Sequence, residues 1–501
     1  MDPSPNQTAL ICKVEGPPEV SPKSVTPQGK AVVSPIRRTP TEIWAMIFVQ
    51  CLCEHRLFIE AKQDEAPLNV AGVCQRWRTI ALSTPSLWSS IWITRTPALD
   101  TSYPRRELVS LWLARSAPCS ISFSFTIDMT TSESSYLALR DLWAGNKQNS
   151  PDQEALVGVL LSCMERWKSV QFALPFLNGY DIEEAGAPLL ESVKVIKGVM
   201  QSWSTFDPFI HRIWEHAPRL RIFTLCDDSD WSCRYEKDLL PVPFRLTVLE
   251  IDYDLPLILC WLLFRESPEL TRCNFGRFCG IDDSGSNLPP VFLPELHSLT
   301  VTSTIHSYDH GETLKLTNVL SLITAPNLKK FEMLWDNGYV HEPFMSFIAR
   351  SACALTELFI LSVPIPKREM KEVLEAISGS IKVLKVEVGY TGTPFGKDLL
   401  RSLTWRGPNE KFLCPNLERI LLGRSAIGKR DSLFIRMVES RWNVDNGRVQ
   451  LKEVEVHSSE VHGPPLGFDQ LEVYRTEGLK LKVDYDWDTD IKSDTEGEDS
   501  E

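Results

Sequence analysis

One short phrase recurs along most of this 501-residue chain: an apolar residue, two spacers, a second apolar residue, one spacer and a third apolar residue. The last two apolar positions are two residues apart, a spacing that puts both side chains on one face of a β-strand. The copies are Trp167, Val170, Phe172; Leu190, Val193, Val195; Leu220, Phe223, Leu225; Leu246, Leu249, Ile251; Leu270, Cys273, Phe275; Leu296, Leu299, Val301; Leu328, Phe331, Met333; Leu355, Leu358, Ile360; Ile381, Leu384, Val386; Leu417, Ile420, Leu422; and Leu451, Val454, Val456. From Leu190 onward they start 24 to 36 residues apart, which predicts one structural unit repeated many times.

A proline stands two positions before the first apolar residue of several copies, namely Pro188, Pro218, Pro268, Pro294, Pro326 and Pro415. Proline ends a helix and favours an extended entry into the following strand. Helical patterns are predicted ahead of the strands, at 208–215, 257–265, 314–324, 342–350, 367–377 and 430–442. The predicted unit of helix, proline turn and strand cannot cover its own apolar face, so we expect the units to stack as a curved solenoid with parallel strands.

This pattern resembles the leucine-rich-repeat family over residues 85–460, although the copies vary in length and lack the regular Asn or Cys after the strand. The resemblance implies an α/β fold, an irregular arc whose concave face carries the parallel sheet and binds a protein substrate. The residues expected to face the substrate lie between the apolar positions: Thr224, Glu250, Thr300, Glu332, Phe359 and Lys385. The loops 227–237 and 389–397 are alternative recognition elements, and an ordinary α/β domain with recurrent strands is the other interpretation of the repeats.

The stretch from Pro40 to Leu52 has a different pattern, because apolar residues occupy two neighbouring stripes of a predicted helix at 42–52. Ile43, Met46, Ile47 and Gln50 form one stripe, and Trp44, Phe48, Cys51 and Leu52 form the other. Two further short helices are predicted after Ala66-Pro67. A short helix in a small module can bury one stripe against its neighbours, so the second stripe predicts a docking surface for another protein.

Residues 40–84 resemble an F-box domain. The resemblance rests on Pro40, Glu42-Ile43, Ile47-Phe48, Leu52, Val73-Cys74, Arg76-Trp77-Arg78 and Ile80-Ala81, and Ser83-Thr84-Pro85 with Leu87-Trp88 match an extension of many fungal F-box proteins. Thr39 stands where the family usually has Leu. The resemblance implies a three-helix module that binds the Skp-type adaptor and, through it, the cullin of an SCF-type ubiquitin ligase. The residues it assigns to this contact are Pro40, Ile43, Ile47, Leu52, Val73, Cys74 and Trp77; the alternative is a helical cap that buries Ile47, Phe48 and Trp77 internally.

Charge and composition narrow the classes of partner. The net charge of −13 disfavours non-specific binding to nucleic acid or to an anionic membrane.

The proline-rich segment 1–39 and the acidic tail 484–501 are predicted to be disordered, and residues 461–483 are predicted to form a C-terminal cap with an edge strand. Thirteen scattered cysteines and no secretory leader predict reduced thiols in a cytoplasmic or nuclear protein.

A search for chemistry finds no convincing catalytic, cofactor or metal set. His306, His310 and Glu312 have a spacing that could hold zinc on a helix, but their surroundings are typical of a polar loop. Cys51 and Cys74 are predicted to lie on helix-packing faces as small buried hydrophobes. We therefore expect a non-catalytic subunit that positions a protein substrate for a ubiquitin ligase, with an adaptor-independent repeat scaffold as the alternative.

Overall fold

The structure is a computed structural model that describes the chain in segments. They are residues 38–52, 56–96, 101–127, 151–173, 186–197, 216–227, 245–279, 288–303, 316–335, 341–363, 365–387, 394–407, 410–427, 431–442, 450–458 and 467–485. The predicted disorder of 1–37 and 486–501, the predicted helix at 208–215 and the His306/His310 pair lie outside these segments.

A long, mostly parallel β-sheet organises the molecule. Its order across the sheet is β2, β1, β3, β4 to β8, β10 and β12 to β17, so most strands lie beside their predecessor in the chain. The strands are β1 Ser90–Thr96, β2 Thr101–Tyr103, β3 Ile121–Ile127, β4 Trp167–Ala173, β5 Ser192–Lys197, β6 Ile222–Asp227, β7 Val248–Pro256, β8 Arg272–Cys279, β9 Val291–Phe292, β10 Ser298–Ser303, β11 Ile323–Thr324, β12 Lys330–Trp335, β13 Glu357–Leu361, β14 Val383–Glu387, β15 Arg419–Gly423, β16 Glu453–Ser458 and β17 Lys480–Tyr485. The predicted α/β class with a parallel sheet is confirmed, except that β2 pairs antiparallel with β1.

The repeated phrase marks the strands and their buried face. Its second apolar positions pair directly from strand to strand, as do its third positions, so they form two continuous rows across the sheet; the second-position row is Val170, Val193, Phe223, Leu249, Cys273, Leu299, Phe331, Leu358, Leu384, Ile420 and Val454. Every residue of both rows is buried. Because strand side chains alternate, the residues between the two rows face the opposite side of the sheet, called here the outer face.

Helices cover the buried rows. The α-helices of the described segments are α1 Thr41–Gln50, α2 Leu68–Val73, α3 Gln75–Leu82, α4 Arg106–Arg115, α5 Pro151–Leu161, α6 Leu257–Glu266, α7 Leu316–Ser321, α8 His341–Ser351, α9 Lys367–Ile377, α10 Lys397–Leu403, α11 Arg424–Ile427, α12 Asp431–Trp442 and α13 Glu472–Thr476. Phe331 of β12 packs against Phe344 of α8, with ring centroids 5.1 Å apart. Phe275 of β8 packs against Phe264 of α6, with centroids 5.2 Å apart.

Two details differ from the sequence-based expectations. The helix predicted at 314–324 is shorter, because Ile323 and Thr324 leave it to pair with β9 as β11. Strand β1 follows a further copy of the phrase that was not among those predicted, Trp88, Ile91 and Ile93, all of them buried. Strand β3 carries no copy, although Phe123 and Phe125 alternate, are buried and pair with Ile91 and Ile93.

The register of the sheet shifts between Ile251 and Asp254, where β7 pairs with β8. Gly276 lies beside this irregularity, and a Cβ at that position would stand only 2.7 Å from Cα of Asp252. A residue without a side chain is therefore needed where the two backbones approach.

The segment 56–62, which lies between α1 and α2 in the chain, forms hydrogen bonds with the first strands of the sheet. The backbone N–H of Trp92 donates to the carbonyl of Ile59 at 2.7 Å. The hydroxyl of Ser90 donates to the carbonyl of Leu57 at 2.8 Å, and the hydroxyl of Tyr103 donates to the carbonyl of Ala61 at 2.7 Å. The segment between α1 and α2 is thus bonded directly to β1 and β2.

The other end of the sheet is β17, which pairs in parallel with β16 and matches the predicted edge strand. It extends to Tyr485, so the predicted start of the acidic tail at Asp484 was two residues too early. None of the helices in the described part of the chain has the length and apolar character needed to cross a bilayer.

Candidate functional site

Helix α1 keeps one of its two apolar stripes at the surface. Ile43 is 45% exposed, Met46 65% and Ile47 43%, whereas Phe48 on the other stripe is completely buried. Large aliphatic side chains of a folded protein are usually buried, so three exposed ones on consecutive turns of a helix are unusual. The two-stripe sequence pattern therefore corresponds to one covered face and one uncovered face.

The covered face of α1 is closed by aromatic rings. The ring centroids of Trp44 and Phe48 both lie 4.9 Å from that of Trp77 on α3. Leu52 and Trp77 are half-buried against the core. These contacts supply an internal core for the three helices without using Ile43 or Ile47.

The junction between α2 and α3 lies near the start of α1. The guanidinium of Arg76 donates to the carbonyl of Thr39 at 2.7 Å. Just ahead of Arg76, Val73 is 60% exposed and Cys74 is exposed as well. We call the exposed set Pro40, Ile43, Met46, Ile47, Val73 and Cys74 the apolar patch.

The predicted adaptor-binding residues divide accordingly. Pro40, Ile43, Ile47, Val73 and Cys74 are exposed, and Leu52 and Trp77 are half-buried and contribute to the internal packing. Met46, the most exposed of the three on α1, was named in the stripe but not among the predicted contacts. Its position three residues after Ile43 was the available signal.

The prediction that Cys51 and Cys74 are buried was wrong, since both are exposed. Cys51 follows the last residue of α1 and does not continue the covered stripe. Cys74 is extended, with φ −160°, between α2 and α3. Its sulfur accepts the backbone N–H of Trp77 at 3.5 Å, so it caps α3 instead of filling a core.

The predicted substrate-facing residues occupy one row of the outer face. Thr224 pairs with Glu250, Thr300 with Glu332, Glu332 with Phe359, and Phe359 with Lys385. Asn274 completes the row between Glu250 and Thr300 and was missed. It lies between Cys273 and Phe275 of the phrase, so the rule that selected the others also applies to it.

Charged side chains form ion pairs on the outer face between β14 and β17. Lys385 Nζ lies 3.1 Å from Glu387 Oε1, and Lys482 Nζ lies 3.1 Å from Glu455 Oε1. His457 reaches between them, with Nε2 2.8 Å from Glu455 Oε1 and Nδ1 3.1 Å from Glu387 Oε1. The intervening strand carries Gly423, whose missing side chain leaves the space that His457 crosses.

Within the described residues, no group of three or more His, Cys, Asp or Glu side chains has a geometry that could hold a metal ion. Burial raises the pKa of the Cys414 thiol to about 11, and it raises the pKa values of Cys260 and Cys273 as well. These thiols remain protonated and unreactive near neutral pH. A small cavity under β3 and β4 is lined by apolar side chains such as Phe125, Leu160 and Phe172.

Comparison of the chain with models of known protein families finds no match. A search of curated proteins finds no similar sequence either.

Proposed function

We propose that this protein is the substrate-recognition subunit of an SCF-type ubiquitin ligase. In this proposal, helices α1 to α3 form an F-box that binds a Skp-type adaptor, and the repeats form a leucine-rich-repeat-like solenoid that binds a protein substrate on its concave face. The observation that carries the proposal is the apolar patch, because Ile43, Met46 and Ile47 stay at the surface although the module already has an aromatic core.

Two physical arguments support this assignment. First, an exposed apolar surface of this kind loses contact with water when a second protein covers it, which favours association. Second, the bonds from Ile59, Leu57 and Ala61 to the first strands hold the patch against one end of the sheet. A partner on the patch and a partner on the outer face would therefore be held by the same subunit.

The proposed contribution to catalysis is positioning. The subunit holds its substrate while ubiquitin transfer takes place on other subunits of the ligase. This division of labour agrees with the described side chains, in which the clustered charges pair with each other within a strand or between neighbouring strands, and the buried Cys414 thiol is protonated.

The test is co-purification of the full chain with a Skp-type adaptor. Ile47→Asp places a charge in the proposed apolar contact, where an unpaired carboxylate costs about 2 to 5 kcal/mol, and should abolish co-purification. Gln63→Asp adds the same charge at an exposed position between α1 and α2 and should leave adaptor binding unchanged. Circular dichroism and thermal unfolding check that both variants fold.

Undiminished adaptor binding by a folded Ile47→Asp variant would exclude the patch as the contact. Failure of the unaltered chain to bind any Skp-type adaptor would favour an adaptor-independent repeat scaffold.

A further inference from the structure

The outer face changes character along the sheet. From β12 to β15 it carries four half-buried apolar side chains, Leu334, Phe359, Leu361 and Leu421, which we call the apolar strip. Leu334 pairs with Leu361 on the neighbouring strand, and Phe359 is two residues before Leu361 on the same face. Lys385 alone separates Phe359 from Leu421 in the row.

The part of the outer face from β6 to β10 is polar by comparison. The hydroxyl of Thr224 donates to Glu250 at 3.3 Å, and Arg272 lies 4.0 Å from the same carboxylate. Asn274 and Thr300 continue the row. Ile222 on β6, which is 37% exposed, and its partner Val248 on β7 add one apolar pair beside this polar row.

The charges beside the apolar strip are paired within the protein. Lys330 Nζ lies 2.8 Å from Glu332 Oε2, and it also lies 4.7 Å from the centroid of the Phe359 ring. Lys385 is paired with Glu387 at 3.1 Å. Lysines next to the strip therefore have acidic partners in place, and the Lys330 ammonium also lies over the Phe359 ring.

Positive and negative side chains are also nearly equal in number over the wider outer face. Between β12 and β17 the outer-face positions carry Lys330, Lys385, Arg419, Lys480 and Lys482 against Glu332, Glu357, Glu387, Glu453 and Glu455. Opposite charges face each other in register at Lys330 and Glu357 and at Arg419 and Glu453. Such a surface gives no electrostatic advantage to a strongly acidic or strongly basic ligand.

We propose that the apolar strip is the docking site for an extended, weakly charged segment of a partner protein that inserts aliphatic or aromatic side chains. If the proposed function is correct, this segment belongs to the ligase substrate, so the biological role of the strip rests on that proposal. An apolar centre rimmed by paired charges is the arrangement found in protein interfaces, where the centre supplies most of the affinity and the rim supplies selectivity.

The probe is a phage-displayed library of random dodecapeptides, selected on the immobilised full-length chain. The selected peptides should be rich in Leu, Ile, Val, Phe or Met, with few charged residues. Their affinity, measured by fluorescence anisotropy, should change less than about twofold when salt rises from about 0.1 M to about 1 M, although the Debye length falls from about 10 Å to about 3 Å.

Phe359→Thr and Leu361→Thr should each weaken peptide binding at least about tenfold, because they remove apolar contact area while keeping a residue suited to a strand. Gln171→Thr is the matched control: it creates the same residue on the outer face of β4, far from the strip, and should leave affinity unchanged. Co-purification with the Skp-type adaptor is measured on all three variants and should be unaffected.

Selection of no peptides, selection of highly charged peptides whose binding collapses in salt, or equal binding by Phe359→Thr and the unaltered chain would each overturn the strip as a docking site. Failure of the adaptor measurement in the unaltered chain, with strip-dependent peptide binding intact, would overturn the ligase role alone. The two proposals therefore fail separately.

Discussion

Helix α1 and strand β13 contain the same residue type in opposite surroundings. Ile47 on α1 is 43% exposed, whereas Ile360 on β13 is 1% exposed. Ile360 lies in a row that continues on the strands on both sides and is covered by helices, while Ile47 faces away from the aromatic core that its own module forms. The exposure of Ile47 is therefore not caused by a lack of apolar residues near α1, because the aromatic core lies on the opposite side of the same helix. It reflects a stripe that the internal packing of the module does not use.

The largest loss of folding stability is expected from a substitution in the sheet. Ile360→Ala should lower the free energy of unfolding by about 2 to 5 kcal/mol, because it leaves a cavity in a row packed on both sides. Chemical denaturation monitored by tryptophan fluorescence measures the change. A loss below about 1 kcal/mol would mean that the rows are loosely packed, and the contrast with α1 would disappear.

An intermediate effect is expected where a charge, and not an apolar group, occupies the interior. Arg441 on α12 is buried and donates to the carbonyls of Leu403 at 2.8 Å, Leu413 at 2.6 Å and Cys414 at 2.9 Å. Burial lowers the pKa of Arg441 to about 10, which still leaves the guanidinium charged at neutral pH. Arg441→Met should destabilise the protein by about 1 to 3 kcal/mol, because three buried carbonyls lose their donors.

The same denaturation assay at neutral pH measures this change, with Arg441→Lys as a comparison that keeps the charge but not the planar fork of donors. Equal or greater stability of Arg441→Met would show that removing the buried charge outweighs the lost hydrogen bonds.

The smallest effect is expected at α1, with the substitution used for Ile360. Ile47→Ala should change the free energy of unfolding by less than about 0.5 kcal/mol, because the side chain is substantially exposed and Ala favours a helix more than Ile does. A loss comparable to that of Ile360→Ala would mean that Ile47 stabilises the isolated fold, which would weaken the docking interpretation of the apolar patch.

The two regions differ in how much of their structure is encoded in local sequence. The strands with the phrase, their order and their buried residues follow from a spacing that is read locally, because alternate side chains of a strand must lie on opposite faces. The row from Thr224 to Lys385 follows from the same rule. At α1 the sequence indicated two apolar stripes, but only the packing of Trp77 against Trp44 and Phe48 determines which stripe is covered.

The amino-acid sequence by itself determined the repeated unit, the parallel sheet and the presence of more apolar surface on α1 than a small module can bury. Only the tertiary structure decided that Cys51 and Cys74 are exposed, that His457 crosses Gly423 to reach Glu387, and that the lysines beside the apolar strip have acidic partners. Periodicity constrains neighbours along the chain, whereas exposure and charge pairing depend on residues that are distant in sequence and meet only when the strands stack.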